Sequence, residues 1–467
     1  MNALDLARWQ FGITTIYHFL FVPLTIGSAS LVAIMQTAWY RTGDEKWLKA
    51  TKFFGKLLLI NFAMGVVTGI VQEFQFGMAW SDYSRFVGDI FGAPLAVEGL
   101  ASFFLESTFL GLWIFGWDRL PRGLHLATIW LAAFGTLLSA YFILAANSFM
   151  QHPVGYVLNP ETKRAELTDF GALLFQNTAY TTFFHTIASC FLVSGTMLVG
   201  VSLWLMMGKK SADAMRKTLG LGLITVIVAG LGTVVSGDAQ ARIMVQQQPM
   251  KMSAAEGLFD TAQPAPFSLV TVGPMDGTSA SWSLDIPGLL SFMATGDWNG
   301  EVEGINQLQA KYEQKYGPGE YAPYVPLVFW AFRAMIGLGM LAVLFAVFVW
   351  WKTRKGRTPS GKWLRYAAVT STLFPLFGIS AGWIFTEMGR QPWIVFGMMK
   401  TEAGVSPTLG VVSVLISIVT FTLLYGVLAV IEVGLIIRAV KIGPPDTVEL
   451  LPVDDDADNG RTLTFSY

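Results

Sequence analysis

Trp383-Ile384-Phe385-Thr386-Glu387-Met388-Gly389-Arg390-Gln391-Pro392-Trp393 closes a long apolar run that begins near Leu364. Glu387 therefore falls where a membrane-spanning helix would run out. An ionisable group at that depth is costly to desolvate and marks a functional site by default. Trp383, Glu387 and Arg390 share one face if the helix continues, before Gly389 and Pro392 break it. Two readings are open. The carboxylate, the guanidinium and two indoles could hold a cofactor that carries a metal and acidic groups. They could equally be a helix-end ion pair inside an interfacial aromatic belt.

The rest of the composition agrees with a membrane setting. The chain has 467 residues, 53% hydrophobic, 14% aromatic and only 13% charged, against about 25% charged in an ordinary soluble protein. A formal net charge of -1 gives nucleic acid no electrostatic footprint. The lone cysteine, Cys190, excludes an internal disulfide and a cysteine-based metal site. The first apolar run is too long for a cleaved leader and is expected to stay as a membrane helix.

Nine runs reach the roughly 20 apolar residues that a bilayer demands. They are 13–39, 54–78, 94–117, 124–150, 180–207, 218–237, 326–351, 364–387 and 409–437. An all-α integral membrane protein is the expected fold class. Basic residues decide the orientation. Arg41, Lys46, Lys49 and Lys52, then Arg119 and Arg122, Lys209 to Lys217, and Lys352 to Arg365 fall on one side, joined by Arg438 and Lys441. That side is expected to be cytoplasmic, with the N-terminus outside and the C-terminus inside. Four segments follow: helices 1–6 over 1–237, an extracytoplasmic loop over 238–325, helices 7–9 over 326–440, and a cytoplasmic tail over 441–467 with an acidic run at Asp454–Asp456. A polar loop of that length is usually functional.

Few polar residues lie inside the runs. His18 and His185 fall just inside the outer ends of runs one and five, at matching depth, which sets a ligand role level with the commoner reading of a hydrogen-bonded core histidine. His125 and His152 read as solvated. Arg333 lies about two turns below the outer surface and needs an anionic partner. Met335 beside it, level with His185, suggests the His–Met pair of an electron-transfer haem. Arg333 could then meet a haem propionate. Glu98, Ser102 and Glu106 follow at four-residue steps, about 12 Å from end to end, with Ser139 in the next run. They read as a proton relay or as interhelical glue. Lys251 and Glu256 open the outer loop. They could serve a quinol as proton acceptor and anchor, although such a spacing is more often a solvated charge pair. Glu73 and Glu432 are intramembrane without an assigned role.

Together these residues resemble subunit I of the cytochrome bd-type quinol oxidases, over nearly the whole chain. The resemblance rests on Tyr17-His18-Phe19-Leu20-Phe21-Val22-Pro23-Leu24-Thr25, Glu73-Phe74-Gln75-Phe76-Gly77 and Gly88-Asp89-Ile90-Phe91-Gly92-Ala93-Pro94-Leu95. It also rests on Phe104-Leu105-Glu106-Ser107-Thr108, Phe332-Arg333 with Met335, and Gly389-Arg390-Gln391-Pro392-Trp393. It implies three haems near the outer face. His185 and Met335 would ligate low-spin haem b558, with Arg333 on a propionate. His18 would ligate haem d and Glu387 high-spin haem b595, with Trp383 and Arg390 packed around that pair. Glu98 would border the oxygen site, Glu106 and Ser139 would supply protons, and Lys251 and Glu256 would oxidise quinol. The short outer loop matches the short-loop members and leaves menaquinol or ubiquinol open.

The function implied is that of a terminal respiratory oxidase. Quinol would be oxidised outside, and dioxygen reduced to water with protons drawn from the cytoplasm, so that charge separates without a pump. A second multi-span subunit, and in some members small single-span ones, would complete it in the bacterial cytoplasmic membrane. Two alternatives stay in view: a b-type haem membrane anchor without oxygen chemistry, and a cofactor-free secondary transporter.

Overall fold

A computed structural model describes residues 2–445; the acidic run Asp454–Asp456 lies outside them. Nine helical segments among these residues are long and apolar enough to cross a membrane. They are Ala3–Thr42, Glu45–Met78, Ser81–Phe115, Arg122–Gln151, Phe170–Met207, Ala212–Gln247, Val325–Gly356, Lys362–Met388 and Val411–Ile442, hereafter spans 1 to 9. Each coincides with one expected run. Span 6 reaches ten residues beyond its expected end, to Gln247, because its last turns carry polar residues that lower the hydropathy but not the helicity.

Local chemistry sets the ends and breaks. Asn2 and Asp5 form a reciprocal capping box at the start of span 1. Asp44 caps span 2 by accepting from Lys46 N, just after Gly43 closes span 1 in the left-handed conformation at φ 67°. Span 1 breaks at Leu20–Phe21, ahead of Pro23, and span 8 breaks at Ser371–Thr372, ahead of Pro375. Span 3 contains Pro94 and then a π-turn over Glu98–Ser102. The even four-residue stacking of Glu98, Ser102 and Glu106 is therefore altered, since a π-turn inserts an extra residue into the ladder.

The largest apolar core lies away from the long loop. It is built from Leu31, Met35, Phe54, Leu58, Ile129, Leu198, Met215 and Val349, among others, drawn from all nine spans. His125 belongs to this region and is not solvated: it is 2% exposed. Its Nδ1 meets Gln36 Nε2 at 2.9 Å and its Nε2 meets the Trp113 carbonyl at 2.8 Å. The neighbouring cationic residues made this rim look wet; the imidazole instead ties three spans together. Glu432 is buried on span 9, whereas Glu73 is exposed on span 2.

The connection between spans 6 and 7 is ordered. Helix Pro249–Glu256 comes first, then an antiparallel hairpin of Phe267–Val272 with Trp282–Ile286, and helices Leu289–Thr295 and Ile305–Tyr316. The hairpin pairs Phe267 with Ile286 and Val272 with Trp282, with a bulge between Ser268 and Val270. Every residue from Met250 to Glu256 is buried. The loop thus packs its first helix onto the ends of the spans, and the polar residues of those ends meet it there.

Candidate active site

His18 stands at the break in span 1, opposite Thr68 and Gly69 of span 2. Its Nδ1 lies 2.9 Å from Thr68 Oγ1. The Thr68 hydroxyl hydrogen is already directed at the carbonyls of Met64 and Gly65, at 3.0 and 3.1 Å. With its hydrogen engaged there, the hydroxyl accepts from Nδ1, the tautomer that leaves the Nε2 lone pair for a ligand. His185 repeats the device. Its Nδ1 is 3.1 Å from Ser236 Oγ, and Ser236 donates to the Gly232 carbonyl at 2.6 Å.

Each of the three neutral ligand candidates is backed by a glycine on a neighbouring helix. A Cβ at Gly69 would lie 3.1 Å from His18 Cε1, one at Gly237 would lie 3.3 Å from His185 Cε1, and one at Gly382 would lie 2.7 Å from Met335 Sδ. The last separation is closer than real carbon–sulfur packing allows. Two imidazoles and a thioether, each seated against a glycine, are side chains of the kinds that ligate haem iron.

Span 8 ends at Met388, one residue after Glu387, as the Gly389 position suggested. Glu387 forms an ion pair with the buried Arg390, and its Oε1 accepts from Asn147 Nδ2 at 3.1 Å. Arg390 also donates through Nε to the Trp393 carbonyl at 3.2 Å. Its Nη1 and the indole nitrogen of Trp393 are buried without a partner, so the cluster offers donors to an acceptor. Trp383 stacks on Phe19 with ring centroids 5.6 Å apart, which brings the Glu387 helix against the residue following His18.

Lys251 and Glu256 are not a solvated pair. They are 5% and 2% exposed and face different partners. Lys251 Nζ donates to Gln151 Oε1 at 2.5 Å. Burial, reinforced by repulsion from Arg390 and opposed by Glu387, pulls its pKa down from 10.5 to about 7. Glu256 Oε2 accepts from Arg333 Nη2 at 2.7 Å. Burial pushes the carboxyl above its ordinary range, with Arg333 pulling the other way. Its Oε1 is buried without a partner. The anionic partner that Arg333 required is thus Glu256, supplemented by the carbonyls of Ala255 and Ser268 and by the Phe329 ring at 3.8 Å. A propionate would have to share this guanidinium. His152 is half-buried rather than solvated, and burial lowers its pKa.

On the flank of the bundle, Ser139 Oγ donates to Glu98 Oε1 at 2.7 Å; it does not bond Glu106. Glu106 lies instead against Gly135, one turn from Ser139 on span 4, where an added Cβ would come within 2.9 Å of the Glu106 Cγ. Ser102, between the two carboxylates in sequence, is buried with its hydroxyl unpartnered. Span 4 therefore contributes to both carboxyl groups. Thr68, Ser236, Asn147, Gln151 and the three glycines were not singled out from sequence. Only their helical offset from the ligand candidates on other spans could have marked them, and that offset needs the packing.

The molecule is thus a multi-pass membrane protein in which Lys251 and Glu256 of a structured loop meet Gln151, Arg333 and the end of span 8, an arrangement suited to a membrane oxidoreductase. Residues 6–444 match the family model described as cytochrome bd terminal oxidase subunit I, and the chain belongs to that family. Cytochrome bd ubiquinol oxidase subunit 1 of Bacillus subtilis is 45% identical, over 98% of this chain and 97% of that protein. Cytochrome bd-II ubiquinol oxidase subunit 1 of Escherichia coli is 35% identical, over 95% and 97%. Among solved structures, bd oxidase from Geobacillus thermodenitrificans matches with a TM-score of 0.86 at 27% identity, over 95% of this chain and 99% of that one. Family membership makes the chain a haem-protein subunit of a terminal oxidase.

Proposed function

We propose that the chain oxidises a quinol at its loop rim and is the subunit in which dioxygen is reduced to water. In this reading His185 and Met335 hold haem b558, His18 holds haem d and Glu387 holds haem b595. When bound, these groups carry the electrons and take up dioxygen. The observation that carries the reading is the hydroxyl lock on each histidine. Thr68 and Ser236, each with helix carbonyls in reach of its hydroxyl hydrogen, are placed to accept from Nδ1, the tautomer that presents both imidazoles through Nε2.

The chain's own residues then divide the proton work. Glu256 Oε1 has no partner and can accept a quinol hydroxyl, while Arg333 steadies the other oxygen. Lys251, with its pKa near 7, can supply a neutral amine at working pH. Glu106, Ser139 and Glu98 form the supply side: Ser139 orients Glu98, and Glu106 lies one helical turn along span 4. Glu387 is held by Arg390 and Asn147 so that its carboxylate keeps one orientation.

Basic residues concentrated away from the loop favour a cytoplasmic C-terminus. Protons released at the loop rim and taken up from the other side would separate charge across the bacterial cytoplasmic membrane without a pump. Spans 1–6 and 7–9, ending at Gln247 and Ile442, would form the bundle, residues 248–324 the quinol loop, and the chain beyond 442 a cytoplasmic tail. The exposed apolar faces of spans 3 and 9, including Leu100, Phe104, Ile416 and Val430, would meet lipid, the second subunit or small single-span subunits. The test is an optical spectrum of the reduced, assembled oxidase with His185→Ala beside wild type. Loss of the low-spin b signal alone supports the reading; an unchanged spectrum contradicts it.

A further inference from the structure

We propose that Gln151 is a positioning residue of the oxidase reaction, tying the amine of Lys251 to the carboxylate of Glu387 through a one-way file of hydrogen bonds. As an ammonium, Lys251 is only a donor, so in that state the oxygen it reaches at 2.5 Å fixes the Gln151 amide orientation. Gln151 Nε2 must then face Asn147 Oδ1, which lies 3.4 Å away. Asn147 in turn presents Nδ2 to Glu387 Oε1 at 3.1 Å. Every bond donates in the same direction, from an ammonium at one end to a carboxylate at the other. Two amides polarised between opposite charges strengthen one another.

The surroundings hold this file in place. Gln248, at the start of the loop helix, donates through Nε2 to the Gln151 carbonyl at 2.5 Å. Gly389 leaves room for the Lys251 stem: a Cβ there would come within 2.7 Å of Lys251 Cγ. Lys251, Arg390 and Trp393 line a cavity of about 10 Å³, close to the room one water needs. Arg390 Nη1 and Trp393 Nε1, both buried without partners, belong to residues lining it. The loop lysine is thus built into the Glu387 end of the site, while Glu256 is built into the Arg333–Met335 end. The two loop residues serve different halves.

This inference rests on the reading of Lys251 as a quinol residue and Glu387 as a haem ligand. The test uses the complete oxidase with Gln151→Met and Gln151→Glu. Met keeps the shape and loses both bonds. Glu keeps an acceptor for Lys251 but has no N–H for Asn147. Gln151→Met is expected to lower kcat/KM for quinol about tenfold, the scale of one lost charge-assisted hydrogen bond. It is also expected to move the absorbance band and midpoint potential of the Glu387-held haem, with the low-spin band unmoved. Gln151→Glu is expected to restore most of kcat/KM but not the band.

A wild-type Gln151→Met enzyme overturns the proposal. So does one that loses quinol oxidation with the high-spin band unmoved. If Gln151→Met does not assemble, Gln151→Glu decides, since an unmoved band there breaks the link to Glu387. Lys251→Ala, measured in parallel, keeps the two readings apart. If it spares quinol oxidation, the role of Lys251 fails, and the wiring is judged on the haem band alone.

Discussion

A lysine buried against an amide should lose its proton near neutrality. With its pKa lowered from 10.5 to about 7, Lys251 is charged below that pH and a neutral proton acceptor above it. Quinol kcat/KM is expected to rise through about pH 7 and then level, and Lys251→Ala should remove that limb; a pH profile of both enzymes checks it. The stability sign follows from the same shift. Between about 7 and 10.5 the unfolded chain binds a proton that the folded chain has lost, so this residue's destabilisation is full below 7 and is relieved as pH rises. Glu106→Gln is expected to slow turnover by about 10²-fold, the usual worth of a positioned proton-transfer group, with haem content unchanged; turnover and pigment per protein are the readouts. Ionisable residues were legible in the sequence because lipid makes them conspicuous. Gln151 and Asn147 were not, since an uncharged amide near a helix end is ordinary. His125 was misread because charges beside it in sequence say nothing of what covers it in space.

At the scale of elements, close approach of helices governs the geometry of the candidate ligands. Gly382→Val would drive a side chain into Met335 Sδ, which already lies 2.7 Å from where a Cβ would stand. The expected result is loss of the low-spin haem signal, with a stability cost of about 1–3 kcal/mol from overpacking. The reduced spectrum and the thermal midpoint of the purified oxidase would check it. All nine spans were legible because hydropathy sums over some twenty residues. The same averaging hid the break at Leu20–Phe21, the break at Ser371–Thr372, and the π-turn at Glu98–Ser102, which depend on a few backbone bonds. The loop's helices and hairpin were hidden for another reason: they gain order by packing on the spans.

Taken as a whole, the molecule separates a packed apolar core near one rim from a polar region, with the candidate ligands, near the other. Under the proposed function, that asymmetry would put quinol protons and water-forming protons on different sides. In proteoliposomes supplied with quinol, the oxidase is expected to build a membrane potential and to take up protons opposite the loop; a potential-sensitive dye and a lumenal pH probe check this. The central claim is that two histidines, a methionine and a glutamate clamp haem iron beside a quinol loop. It is tested most directly by the absorbance of the dithionite-reduced, assembled oxidase before and after carbon monoxide. The account predicts b- and d-type bands, of which the high-spin part shifts on adding the gas while the His185–Met335 part stays fixed. A colourless protein, or pigment that ignores carbon monoxide entirely, would contradict it.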